Sequence, residues 1–162
     1  MQKIALSLTL AAAFAIPGFA GTHKLPEDKP LATITIPDAW ETDDIDAGIE
    51  ATSDDGEVYL AVETTDAANV KAAMDESIKF FKDKGVTVDD STLKTQEGKI
   101  GDMDVVDLSW DGKDEDGPTK VSVTLVAVTK EKGLLLTYWG SPEGEKKHAT
   151  ELRDIAQSIK KS

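Results

Sequence analysis

The sequence predicts an α+β fold in which an antiparallel β-sheet of about six to seven strands is flanked by two main helices, an α/β/α sandwich. Three observations predict it. Short stretches in which apolar and polar residues alternate occupy much of the chain, as half-buried strands do. The period changes to that of an amphipathic helix in two places, between Asp66 and Gly85 and after Ser141. One strand candidate, GLLLTYWG at residues 133–140, is apolar on both faces and therefore needs cover on both sides.

The elements follow in order. In LATITIP, Ile34 and Ile36 share a face, and Pro37 ends the strand because it has no N–H for a ladder. Ile45, Ala47, Ile49 and Ala51 alternate with Asp46, Gly48 and Glu50 as a second strand. Ser53-Asp54-Asp55-Gly56 is turn chemistry, and Val58, Leu60 and Val62 form the return strand of a hairpin. Asp66 is suited to cap a helix that begins at Ala67, and Gly85 to end it in the left-handed conformation. Between them Val70, Met74, Ile78 and Phe81 make an apolar stripe. TVDDSTLKTQEG is polar, as an edge strand is, while Met103 to Trp110 and the alternating Val121, Val123, Leu125 and Ala127 are stronger strands. The apolar strand 133–140 is placed centrally, with Tyr138 and Trp139 on opposite faces at its end, one ring under each covering layer. Ser141 caps the closing helix, Pro142 takes its first position, and Leu152, Ile155 and Ile159 are its buried stripe.

Composition bounds the function. The 162 residues suit one domain, and 40% hydrophobic residues exclude a disordered chain. A net charge of −13 repels phosphate backbones, so no nucleic-acid partner is expected; a cation or a basic protein face is the compatible one. Residues 1–20 have the form of a secretory signal peptide: Lys3, the apolar stretch Ile4 to Ile16, the break Pro17-Gly18, and small residues at Gly18 and Ala20. Cleavage is expected after Ala20, giving a periplasmic or secreted protein of a bacterium with no stable membrane anchor. Residues 21–30 are expected as a flexible lead-in and residues 31–162 as the single folded domain. The absence of cysteine excludes disulfides, a thiol nucleophile and a lipidated cysteine.

The order of elements, with the step Ile36-Pro37-Asp38-Ala39-Trp40 after the first strand and Leu135 to Ser141 leading into Leu152, Ile155 and Ile159, resembles the PsbP-like fold and the DcrB-like proteins of bacterial envelopes. The resemblance spans about residues 31–160. It implies an antiparallel sheet sandwiched by helices and a non-enzymatic accessory or assembly role. Because the lipid-bearing cysteine of the lipoprotein members is missing, it also implies a soluble protein.

No catalytic motif is present. His23 lies in the lead-in and His148 is expected at the solvent edge of the last helix. WGSPEG lacks the second glycine of a nucleophile elbow, and no phosphate loop or dinucleotide fingerprint exists. No cofactor is expected. The acidic turn DGKDEDGP offers Asp111, Asp114 and Asp116 as weak metal candidates, but its spacing departs from a calcium loop, with Lys113 third and no glutamate twelfth. Trp40 and Trp139 are the candidate ligand-binding residues. The reading is therefore an exported, non-enzymatic accessory or binding protein that meets another envelope protein or a small ligand. A cation-binding envelope protein using acidic loops is the alternative, and a carboxylate-dependent hydrolase a further one.

Overall fold

The computed structural model describes residues 20–162, so the expected leader, residues 1–20, lies outside the described residues apart from Ala20. The strands are β1 (Ala20–Leu25), β2 (Ala32–Pro37), β3 (Glu41–Ile45), β4 (Gly48–Thr52) and β5 (Val58–Asp66). After helix α1 (Val70–Asp83) come β6 (Thr87–Val88), β7 (Lys94–Ile100), β8 (Met103–Lys113), β9 (Pro118–Ala127) and β10 (Lys132–Gly140). The chain ends with α2 (Pro142–Lys147), α3 (Ala149–Ser158) and the short β11 (Lys160–Lys161).

Eight strands form an antiparallel sheet in the order β3-β4-β5-β10-β9-β8-β6, with β7 paired to β8. The expected sandwich is therefore present, with β10 central between β5 and β9. Its two apolar faces close two cores. On one face Ile49, Leu60, Val62, Leu134, Leu136 and Val126 meet β2 and α3 through Ile34, Ile36, Ile155 and Ile159. On the other, Val121, Val123, Leu135 and Trp110 pack under Phe81 of α1. Tyr138 and Trp139 divide between these cores, as alternation along a strand requires.

Four details differ from expectation. The strand 32–37 is not in the large sheet: it centres a separate three-stranded sheet, β1-β2-β11. Residues 21–30, expected as a flexible lead-in, begin with β1, which pairs along the whole of β2 and buries Leu25 completely. A ladder satisfies the backbone groups of a segment whose polar side chains hide its strand character. The stretch 45–51 is two strands, because residues 46–47 turn and let Glu41–Ile45 pair as an edge. The closing helix is broken at His148 into α2 and α3.

Of the expected caps, those at Ser141 and Gly85 form and that at Asp66 does not. Ser141 Oγ accepts from Gly144 N at 2.9 Å with Pro142 following. Gly85 stands at φ +80°, while Val86 N donates to Phe81 O at 2.8 Å. Asp66 makes no side-chain cap; a 3-10 turn at Ala67–Asn69 precedes α1 instead. Gly48 is required by close approach: a Cβ there would lie 1.8 Å from Val62 O across the β4–β5 ladder.

Candidate binding groove

The α1-facing side of the large sheet is apolar only in part. Under the C-terminal half of α1, Phe81 fills the space above β9 and β10. Toward β4 and β5 the inward positions become Glu50, Tyr59, Ala61 and Glu63, and the helix no longer closes on the sheet. An open groove of about 960 Å³ results, walled by α1 on one side and by the β3–β4 turn on the other. Its floor is tied to the helix by the buried Ser77–Thr137 hydroxyl pair, 2.9 Å apart.

Six carboxylates line it: Asp44, Asp46, Glu50, Glu63, Asp66 and Glu76. Among the described residues no lysine, arginine or histidine lines it. Lys132 lies 3.8 Å from Asp66; among the described residues the other five have no salt-bridge partner. Tyr59 Oη donates to Glu50 Oε2 at 2.7 Å, and burial, then Glu50, then Glu63 push the phenol well above its usual range. Glu63 is half-buried, and its carboxyl is raised first by burial, then by the negative charges of Glu76 and Glu50. The native fold thus holds a carboxylate where its charge is disfavoured.

An aromatic wall faces these acids. Tyr59 stacks on Trp139 with centroids 4.2 Å apart and planes 18° apart, and Phe80 of α1 lies 5.8 Å from both. Trp139 meets Phe81 edge-on at 6.1 Å. It is half-buried and backs the groove through Tyr59 rather than lining it. The structure places Trp40 elsewhere: it is 4% exposed in the opposite core, and its indole N–H donates to Glu151 Oε2 at 3.3 Å. The two tryptophans named from sequence are not brought together.

His148 is a correction. Expected at a solvent edge, it is 4% exposed at the α2–α3 break, edge-on to Trp40 at 5.6 Å. The break turns the imidazole inward, where burial opposes its charge, while hydrogen bonds to Glu151 and Asp55 outweigh burial and raise its pKa. Asp55 is held far below the ordinary carboxylate range, first by Lys147 and then by the Ser53 hydroxyl.

At the acidic turn, Asp111 pairs with Lys120, and Asp114 Oδ1 accepts the backbone N–H groups of Asp116 and Gly117 at 3.0 Å each. Those oxygens hold the hairpin between β8 and β9 rather than converge on one point.

The groove itself was not read from the sequence. Its signal is parity: Val58, Leu60 and Val62 face one core, so Tyr59, Ala61 and Glu63 face the other side, which a strand next to central β10 also has to cover.

No family model and no curated protein matches the chain in sequence. Solved structures match in fold. Cyanobacterial PsbP (CyanoP) from Synechocystis sp. PCC 6803 superposes with a TM-score of 0.62 at 9% identity, over 96% of this chain and 99% of that one. A protein from Bacteroides thetaiotaomicron VPI-5482 gives 0.55 at 13% identity, over 82% of this chain and 45% of its own. LpqN, involved in cell envelope biogenesis of Mycobacterium tuberculosis, gives 0.50 at 13%, covering 90% and 86%. The chain therefore has the PsbP-like fold.

Proposed function

We propose that this protein is a non-enzymatic accessory or binding protein of the bacterial envelope whose α1–sheet groove receives a basic segment of a partner polypeptide. One observation carries the reading: six carboxylates surround an aromatic-walled groove with no cation among its lining residues. A lysine or arginine side chain entering there meets opposite charge at the rim, and Tyr59 and Phe80 among the lining residues give apolar contact to its stem. The net charge of −13 steers such a partner toward the surface. Export rests on the leader-like residues 1–20. The envelope setting draws support from LpqN, which shares the fold, and a DcrB-like role belongs to the same proposal.

The test is a proton–nitrogen NMR titration of the mature chain with a blocked Lys/Arg-rich heptapeptide. Shifts are expected to cluster on Glu50, Tyr59, Glu63 and the α1 residues Glu76 and Phe80, and to weaken as salt rises. Scattered shifts, or equal shifts with a glutamate-rich peptide, would refute the reading. Crowded carboxylates are also what a carboxylate-dependent hydrolase uses. Turnover of an aryl glycoside that is lost in both Glu50→Gln and Glu63→Gln would replace binding with that second reading.

A further inference from the structure

At the other end of β4 from the groove, the β4–β5 hairpin turn meets the break between α2 and α3. The turn contributes Asp54 and Asp55; the break contributes His148. We propose that these three side chains hold a single divalent transition-metal ion of the zinc class, bound by His148 Nε2 and the carboxylates of Asp54 and Asp55.

The imidazole is already oriented as a ligand. Its Nδ1 lies 2.5 Å from Glu151 Oε2, so in the neutral tautomer that gives this carboxylate its N–H the Nε2 lone pair faces Asp54 and Asp55. Trp40 Nε1 donates to the same Glu151 oxygen at 3.3 Å, and the Trp40 ring stands edge-on to the imidazole, so the ring has little freedom to turn. This carboxylate–histidine pairing behind a ligand atom is the arrangement that fixes histidines at metal centres.

The forward side supplies the remaining donors. Nε2 lies 3.1 Å from both oxygens of Asp55 and 4.0 Å from Asp54 Oδ1. One ligand atom from each of the three residues falls within 4.8 Å of the others. Bonds of about 2.0–2.2 Å to a tetrahedral zinc ion set neighbouring donor atoms about 3.3 Å apart. Asp55 already has that spacing, and the Asp54 side chain, 57% exposed, is free to swing the remaining distance. The same Asp55 oxygens are held in place by other donors: Ser53 Oγ donates to Oδ1 at 2.7 Å, Glu57 N to Oδ1 at 3.2 Å, and the Lys147 ammonium, which a metal ion would have to share Asp55 with, to Oδ2 at 2.6 Å.

Either a proton or a metal ion belongs between Nε2 and the aspartates. A neutral imidazole whose Nδ1–H is given to Glu151 turns a bare lone pair toward Asp55, which is repulsive. Either a second ring proton or a metal ion relieves this. A buried nitrogen with two carboxylates suits zinc or a similar borderline ion, whereas calcium and magnesium favour all-oxygen shells. Three protein donors leave the fourth position open to water or to a ligand atom from a partner.

The test is calorimetric titration of the chelator-stripped mature chain with Zn²⁺, with Co²⁺ as an optical reporter of tetrahedral coordination. Saturable one-to-one binding is expected, weakened about tenfold or more by Asp54→Asn, whose exposed side chain leaves the fold intact, and lost in His148→Gln. Long-range nitrogen NMR on the parent, which needs no folded histidine variant, is expected to show Nδ1–H kept and Nε2 without its proton at saturating zinc. Absence of saturable heat overturns the proposal. So does equal affinity in Asp54→Asn, or a His148 that keeps both ring protons at saturating zinc. None of these outcomes bears on the groove.

Discussion

At the scale of single residues, the groove side of the sheet places charge where it lowers stability. Glu63 has its carboxyl raised by burial and by Glu76 and Glu50, so folding favours its protonated form. A raised folded-state pKa gives stability that is fully present below the ordinary glutamate value of about 4.3 and is lost as pH rises through the raised value. Glu63→Gln is therefore expected to match the parent in acid and to exceed it at pH 7 by about 0.5 kcal/mol, measured by urea denaturation at both pH values. A variant less stable than the parent at pH 7 would show that the carboxylate has a stabilising partner. Tyr138 makes a second case. Its hydroxyl is buried with no hydrogen-bond partner among the described residues. Tyr138→Phe removes an unsatisfied group and is expected to leave stability unchanged or raise it by up to about 1 kcal/mol; a loss in thermal unfolding would reveal a partner.

At the scale of elements, alternation and caps were legible where the side chains carry them. Ser141-Pro142, Gly85 and the two-faced strand β10 announced themselves through residue type. Polar strands did not. β1 and β3 hold together by backbone ladders, which leave no mark on side chains such as Thr22, His23 and Asp43. The break at His148 was equally hidden, because the partners that draw it inward, Asp55 and Glu151, include one 93 residues away. Trp139 was correctly placed at the end of a central strand, although its ring remains half-buried. Trp139→Ala is expected to cost about 3 kcal/mol, the lower end for a large aromatic, and to loosen the Tyr59 wall. An unchanged denaturation midpoint would mean that the stack carries no stability. Gly48→Ala drives a Cβ into Val62 O and is expected to cost about 3 kcal/mol by loss of the β4–β5 ladder, read as a lowered midpoint. The Asp111–Pro118 hairpin is expected to give no saturable heat with calcium; a site that vanishes in Asp114→Ala and Asp116→Ala would contradict this.

At the scale of the whole molecule, the fold and the acidity do different work. Two cores on opposite faces of one sheet fix β10, and with it the line along which α1 stops covering the sheet. The PsbP-like architecture was legible from the order of elements along this chain, and CyanoP shares that fold at only 9% identity. The groove was not, because its acids come from β3, the β3–β4 turn, β4, β5 and α1, and only the register brings them together. The central proposal is that this groove receives a basic polypeptide segment. The most direct measurement is calorimetric titration of a blocked Lys/Arg-rich heptapeptide into the parent and into Glu63→Gln under the same low-salt conditions. The account predicts saturable binding that Glu63→Gln weakens about fivefold, the weight of one partly desolvated charge pair of about 1 kcal/mol, although that variant is the more stable protein. Equal affinity in the two proteins, or no saturable binding to the parent, would contradict it.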